Sequence, residues 1–571
     1  MTCGMASLTK KTIRGKTYYY ARECQRVNGK PKIIWQKYLG RPEDIIAALT
    51  QPSARSVPAV REALVTDFGA VVALYDLAQR LELTSHIDRH VPKRGPGPSV
   101  GTYLLVAALN RCVAPCSKAS LAGWFEGTAL RRLLNLEARQ LTSQRFWDNM
   151  DRVSRAALEA IERDLTVHLV REFDLDLRRV LFDATNFFTF IDTFNGASTL
   201  AQRGKSKEGR QALRIVGVAL LVSADFHVPL LHRTYPGNQA DATTFASLTS
   251  ELVARYRDIT RGTEHVTLVF DKGNNSRDNL QALGPYHFVG SLVPTQHPKL
   301  LRVPKQRFRS LARQGLPGVR AYRTTREVFG AERTVLVTYN ENLFVAQSQT
   351  LLREIAKRQQ RLRELQQQLQ RHRAGKVRGQ PPTTAGTNKK VQAWLQARHM
   401  KDLFRVKIVE RRGIPQLTYR FDHRAWEHLQ KTLLGKTILF TDNDSWTDAE
   451  IVRGYRSQHH VETAFRCMKD PHCIALRPQY HWTDQKIEVH VFCCVLALML
   501  CSLLQRELHR RGIERSIPAL IRGLGAIREV GVLFMTDRKA STPDLRMTLS
   551  AMTEDQRTLY DALDLGRYRA A

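Results

Sequence analysis

Residues 179–190, RVLFDATNFFTF, and 266–271, VTLVFD, decide the fold. Each is a run of apolar and β-branched residues, and the second is continuous, as expected of strands covered on both faces of a sheet. In each an aspartate interrupts or ends the run: Asp183 inside the first, Asp271 at the close of the second. A carboxylate buried without a partner is costly, so Asp183 calls for a cation, a hydrogen-bond network or water. Ligands of open α/β sheets commonly meet the carboxyl ends of strands, which is where Asp271 falls. An aspartate that merely caps a turn is the plain alternative for either residue.

Working outward, Leu213–Ser223, Val228–Tyr235 and Tyr286–Leu292 read as further strands. Helices are expected from about Gln239 to Tyr256, capped by Asn238 with Asp241 three residues on, and from Ser276 to about Leu283. Together these elements predict a mixed α/β sheet. Upstream, residues 58–175 carry helical spacing at Val60–Leu83, Gly101–Cys112 and Phe146–Phe173, broken by the Pro/Gly-rich stretch 92–98. Residues 15–40 alternate about Asn28-Gly29, a two-residue hairpin signal. Downstream, 295–440 turns to basic loops, short strands such as Arg333–Tyr339, and one long helix, Gln349–Arg373. Its Ile355, Leu362, Leu365 and Leu369 approach heptad spacing, with Arg358 interrupting the seam, which favours a helical hairpin arm over a dimeric coiled coil. Residues 374–390, AGKVRGQPPTTAGTNKK, read as a loop or linker. Helical spacing returns from Thr447 through Lys469 and from Asp484 to Gly512.

The composition agrees with a multidomain α/β protein. At 571 residues the chain exceeds one ordinary core, and 43% hydrophobic with 25% charged residues are globular values. Lys and Arg outnumber Asp and Glu by 88 − 54 = 34, a surplus suited to DNA or RNA and unnecessary for a small neutral substrate. Nine irregularly spaced cysteines argue against a secreted disulfide framework and favour a cytoplasmic setting. The opening MTCGMASLTKKTIRGK has no apolar segment behind its basic residues. The longest apolar run, Val491–Leu504, is shorter than the ~20 residues of a bilayer span and reads as a buried helix. No GxxxxGK[ST] motif is present, so no nucleotide cofactor is expected.

The last informative stretch is 455–469, YRSQHHVETAFRCMK. Tyr455, Glu462 and Lys469 recur every seven residues, which puts all three along one helical face, flanked by Arg456 and Arg466. A solvated amphipathic helix is the bland reading. Cys112 and Cys116, and Cys467, His472 and Cys473 with His459 and His460 upstream, lack the paired spacing of zinc sites and read as buried or capping residues.

The spacing Tyr, two residues, Arg, three residues, Glu, six residues, Lys resembles the YREK signature of bacterial insertion-sequence DDE transposases. Here Tyr455, Glu462 and Lys469 match and Gln458 replaces the arginine. The blocks LFDATNFF, GKSKEGR (204–210), PGNQAD (236–241), FDKGNNSRDNL (270–280) and VETAFRCMKD followed by RPQYHW fall in this family's order, across roughly residues 15–510. The resemblance implies a ribonuclease-H-like core, with Asp183 on the first strand, Asp271 after the fourth and Glu462 on a late helix as catalytic metal ligands. The expected organisation is a β hairpin module (1–54), a helical DNA-binding region (55–175), the first part of the core (176–294), an insertion domain (295–440), the last part of the core (441–515) and a helical tail (516–571).

The expected cofactors are two Mg²⁺ or Mn²⁺ ions per site, since gathered carboxylates repel one another and hard oxygen ligands suit these ions. The implied partners are double-stranded DNA, as terminal inverted repeats and target, and further copies of the chain, as a dimer or larger assembly on paired ends. A nucleoid-associated place in the bacterial cytoplasm is implied as well, with no membrane partner. Tyr455, Gln458, Lys469, Arg456, Arg466, Lys205, Lys207 and Arg210 are the DNA-contact candidates, and Trp446 and Trp482 could stack on an extruded base. The alternatives are a host nuclease or resolvase with the same core, a non-catalytic DNA-binding descendant, and an RNA-binding scaffold.

Overall fold

The computed structural model describes residues 6–27, 30–50, 60–93, 95–192, 194–210, 212–239, 247–248, 250–251, 254–257, 266–270, 275–281, 283–284, 286–411, 413–477, 479–534 and 544–570. The chain divides into two units: residues 1–65, 529–550 and 570–571 form one, residues 66–528 and 551–569 the other.

In the smaller unit β1 (Ala6–Ile13), β2 (Lys16–Val27) and β3 (Lys30–Gly40) make an antiparallel sheet, followed by helix α1 (Pro42–Thr50). The β2–β3 pair is the hairpin expected from sequence; its Asn28-Gly29 turn lies outside the described residues. Strand β1 was not legible. Its turn to β2 uses Arg14 at φ 49° and Gly15 at φ 78°, the pair of positive values that a two-residue I′ hairpin needs, with an arginine where Asn or Gly is usual. A second sheet has the order β18-β17-β4, from β4 (Val60–Asp67), β17 (Arg528–Phe534) and β18 (Asp544–Leu549). Val60–Asp67 is therefore a strand, not the start of a helix reaching Leu83, and residues 516–571 contain two strands besides helix. The pairing joins segments more than 450 residues apart in the sequence, which local apolar spacing cannot register.

The larger unit is α/β. Its early helices include α2 (Gly69–Arg80), α3 (Leu83–His90), α4 (Val100–Val113) and α5 (Arg155–Phe173); the stretch Phe146–Phe173 expected as helix is divided, a separate helix ending at Asp151 before α5 begins. The Ser99 and Ser154 side chains cap α4 and α5 by accepting from the Thr102 and Ala157 amides, both at 3.2 Å. The mixed sheet that follows contains β5 (Arg179–Phe188), β6 (Gln202–Arg203), β7 (Arg214–Ser223), β8 (Pro229–Pro236), β9 (Thr267–Val269), β10 (His287–Leu292), β11 (Arg309–Ser310), β12 (Val319–Val328), β13 (Ala331–Asn340) and β16 (Lys436–Thr441). The order is β11-β12-β13-β16-β10-β9-β5-β7-β6, with β8 on β7. Strand β5 pairs parallel with β9 and antiparallel with β7, and β9 pairs parallel with β10.

Part of the region from 295 to 440 thus joins this sheet: β13, which includes the expected Arg333–Tyr339 strand, bonds to β16, and β16 bonds to β10. The rest is a helix-and-hairpin insert, made of α6 (Glu341–Arg373), α7 (Thr384–Leu395), the hairpin β14 (Phe404–Arg411) and β15 (Ile414–Phe421), and α8 (His423–Thr432). The heptad-like residues Ile355, Leu362, Leu365 and Leu369 are buried here with Val391, Met400, Leu403, Phe404 and Leu417. Arg358 does not break the seam: its Nε donates to the Trp394 carbonyl at 3.1 Å and its guanidinium pairs with Glu354. Helix α7 occupies part of the expected linker, capped by Thr383, whose hydroxyl accepts from the Gly386 amide at 3.1 Å.

The chain closes with α9 (Asp448–Arg456), α10 (His459–Lys469), α11 (Asp484–Arg510), α12 (Ile517–Gly525) and α13 (Glu554–Ala562). Helix α11 holds the apolar run Val491–Leu504 but extends well past it, and its most apolar window is wholly buried within the protein. It packs against α2, α4, α5 and β8, the arrangement of a core helix. At its first turn the Asp484 carboxylate accepts from Ser198 Oγ (2.6 Å), Thr199 Oγ1 (2.5 Å) and the Thr199 and Leu200 amides (3.0 Å each).

Candidate active site

Strand β5 lies inside the sheet between β9 and β7, and the half-buried Asp183 sits on it opposite Leu220 of β7. On the other side Leu181 pairs with Val269 of β9, and Val269 pairs in turn with Val289 of β10. Two residues further along each chain come Asp183, Asp271 and Ser291. Asp271 itself lies outside the described residues. Side chains two apart on a strand share a face, so Leu181, Asp183 and Thr185 project from the same side of the sheet.

Helices α9 and α10 cover that side. The sequence predicts one continuous helix from Tyr455 to Lys469; the structure breaks it at Ser457 and Gln458. There the Gln458 amide donates to the Tyr455 carbonyl at 3.2 Å and the His460 amide to the Ser457 carbonyl at 2.9 Å, three-residue spacings that tighten the turn and redirect the chain. Gln458 is buried at this bend, 8% exposed. Tyr455 and Lys469 consequently belong to two helices, and each is bonded to the sheet. Tyr455 Oη donates to Ser291 Oγ on β10 at 2.8 Å. Lys469 Nζ donates to Thr185 Oγ1 and to the Asn186 carbonyl on β5, both at 2.7 Å. Glu462, midway in sequence between these anchors, is exposed in the first turn of α10.

The surroundings of Lys469 were not legible from sequence. Glu208 lies 3.4 Å from its ammonium and accepts from Arg477 at 2.6 Å. Burial holds the Lys469 pKa below the usual lysine value, opposed by Glu208. The loop carrying the basic candidates is fastened to β5 as well. Asn186 donates to the Lys205 carbonyl and accepts from the Lys207 amide, both at 3.0 Å, and Lys207 Nζ donates to the Ala184 carbonyl at 2.6 Å. Lys205 and Arg210 are exposed, and the Arg210 guanidinium lies 4.6 Å from the Phe188 ring centre. Arg456 and Arg466 are exposed on the two helices. Trp482 is exposed, whereas Trp446 is partly covered and packs over Gly454. The signal that reveals these contacts is spatial: Glu208 and Arg477 stand 269 residues apart.

Cys467 and Cys473, at the end of α10 and just beyond it, form a disulfide, and Cys112 and Cys116 are free. His460, at the start of α10, stacks on His227 with ring centres 6.1 Å apart. His227 is buried, neither of its ring nitrogens has a hydrogen-bond partner among the described residues, and burial lowers its pKa to about 3, aided by the neighbouring His460. Burial likewise lowers His481 to about 3, aided by Lys118. Because the folded values lie below the unfolded value of about 6.5, the unfolded chain takes up protons that the folded chain refuses. Stability is then complete above pH 6.5 and declines as pH falls toward the folded values. At pH 5 the expected loss is about 2 kcal/mol for each of these two histidines. Urea unfolding at pH 7 and pH 5 checks this; the midpoint should fall, and should fall less in His227→Leu.

No protein-family model matches the chain, and no curated protein does. Among solved structures it is similar to a piggyBac transposase in a synaptic complex with hairpin DNA, at 9% identity and a TM-score of 0.33, over 81% of this chain and 82% of that one.

Proposed function

We propose that the chain is a DDE transposase with a ribonuclease-H-like core, which cuts at the ends of an insertion sequence and joins the freed 3′-OH to target DNA. The observation that carries this reading is the register of β5, β9 and β10. Asp183 lies two residues beyond Leu181, which pairs with Val269, and Asp271 follows Val269 by two residues in the sequence; the proposal assigns both carboxylates to one metal centre. The Tyr455–Ser291 and Lys469–Thr185 bonds anchor α9 and α10 over β10 and β5 respectively. Glu462 is exposed in the first turn of α10, the helix that Lys469 anchors to β5.

Asp183, Asp271 and Glu462 offer only carboxylate oxygens, a donor set that fits Mg²⁺ or Mn²⁺. A bound pair of such ions supplies activation of water or a 3′-hydroxyl and stabilisation of the leaving oxygen in an in-line displacement at phosphorus. The protein's own part is positional. Lys469 fixes the Glu462 helix against β5, and Tyr455 fixes the preceding helix α9 against β10. Their companions Lys205, Lys207, Arg210, Arg456 and Arg466 supply positive charge along the path of a duplex backbone, where phosphate contacts set affinity and register. Gln458 contributes through the bend between the helices, its buried side chain standing where the family carries an arginine. The same proposal places the protein on paired DNA ends, as a dimer or larger assembly, in the bacterial nucleoid.

The direct test incubates the full chain with duplexes spanning inverted repeats that flank its coding sequence, in Mg²⁺, Mn²⁺ or EDTA. Cleavage at the repeat ends that requires the metal supports the proposal. Tight end binding with no cleavage in either metal would instead identify a non-catalytic descendant.

A further inference from the structure

Far from this site in sequence, α3, α5 and the end of α2 bring together Glu82, His86 and His168, whose ligating atoms all lie within 4.8 Å of one another. We infer that these three residues form a binding site for a zinc(II)-class ion that ties α3 to α5.

The local structure prepares each donor. Glu82 is the N-cap of α3, and the His86 amide donates to its carbonyl at 3.0 Å, so the two side chains stand one helical turn apart on one face. His86 is 5% exposed, yet neither ring nitrogen has a hydrogen-bond partner among the described residues. A buried imidazole with both nitrogens idle loses its hydration without replacement, which a metal ion at one nitrogen would repair. His168 is oriented differently: its Nε2 lies 2.9 Å from the Arg80 carbonyl at the end of α2. A carbonyl can only accept, so Nε2 carries the proton and Nδ1 keeps its lone pair. A backbone acceptor behind a metal-binding histidine commonly fixes the tautomer in this way.

The rings agree with a shared ion. Two imidazoles bound at ~2.0–2.1 Å to one tetrahedral zinc have ring centres about 5 Å apart; those of His86 and His168 are 5.2 Å apart. Two nitrogens and one carboxylate oxygen suit zinc and leave a fourth position for water, while Mg²⁺ prefers oxygen donors. Glu82 is exposed and gives the ion a way in. The site depends neither on DNA nor on Asp183, and its role is to brace the helical layer.

Titration of the EDTA-dialysed full chain with Zn²⁺ tests the inference, read by isothermal calorimetry and thermal unfolding. The expected results are one saturable site and a midpoint raised by at least about 2 °C at a hundredfold excess over Kd. Glu82→Gln, at an exposed position, and His168→Gln should each weaken binding at least tenfold, and Asp183→Ala should leave it unchanged. A separate melting curve without metal shows whether each variant is folded. Absence of a 1:1 site, or unchanged zinc affinity in both folded Glu82→Gln and His168→Gln, overturns the inference.

Discussion

Asp183→Ala, Asp271→Ala and Glu462→Ala, made singly, are each expected to slow Mg²⁺-dependent end cleavage at least about a thousandfold, ~4 kcal/mol in the barrier. Duplex binding should stay within about threefold, because affinity for DNA comes mainly from phosphate contacts with lysine and arginine. The size of the effect follows from the role assigned to these groups: with no protein nucleophile in the proposed chemistry, losing one carboxylate removes part of the only apparatus that moves charge at phosphorus. The three variants should be equally severe, unlike changes at Lys205 or Arg210, which would weaken binding and reduce its salt dependence. Gel assays of cleavage and of binding on the same duplex separate the two classes. Cleavage that survives in any one of the three carboxylate variants removes that residue from the proposed centre.

The second large effect concerns stability. Glu162, on α5, is buried and accepts from the His232 amide at 2.9 Å, while its carboxylate lies 2.6 Å from both His232 Nδ1 and Arg255 Nη2. Burial raises its pKa, but His232 and Arg255 outweigh that and hold it below the ordinary glutamate value. Replacing it by alanine leaves the Arg255 charge and a buried imidazole without their acceptor, at an expected cost of about 3–5 kcal/mol. Glu162→Gln keeps the volume and one acceptor and should cost less. Because the folded pKa is depressed, the carboxylate's contribution is present above about pH 4.5 and is lost on acidification below it. Chemical unfolding at pH 7 measures the first effect; a change under 1 kcal/mol in Glu162→Ala would show that the triad contributes little.

How much of this was legible in the sequence depends on the range of the interactions. The strands β5, β7, β8, β9 and β10 stand where continuous apolar runs predict them, because burial on two faces writes itself into neighbouring residues. The caps at Ser99, Ser154 and Thr447, the last completed by Glu450, are local contacts that the apolar spacing did not single out. Strand β4 was missed because its partners are distant, and β1 because its turn departs from the usual residues. Helical spacing from Asp484 to Gly512 and the Val491–Leu504 run within it gave both the extent and the buried setting of α11; what they did not show is that its buried Arg506 and Glu507 would meet Asp225 and Arg80.

The site divides in the same way. Asp183 was conspicuous as a charge within apolar neighbours. The seven-residue recurrence of Tyr455, Glu462 and Lys469 was real as a pattern but was taken as one helical face, whereas a bend at Gln458 sends Tyr455 to β10 and Lys469 to β5. No sequence signal foretold that Thr185, Asn186 and Glu208 would receive the lysine, for those contacts exist only once the sheet and α10 have packed. Glu82, His86 and His168 are equally silent in sequence, since the third comes from another helix.

The measurement that bears most directly on the central claim is a structure of the protein bound to its end DNA in Mn²⁺, with the ions located by anomalous scattering. The account predicts two ions beside the scissile phosphate, held by Asp183, Asp271 and Glu462. Ions bound elsewhere, or carboxylates too far apart to share them while DNA occupies the site, would contradict it.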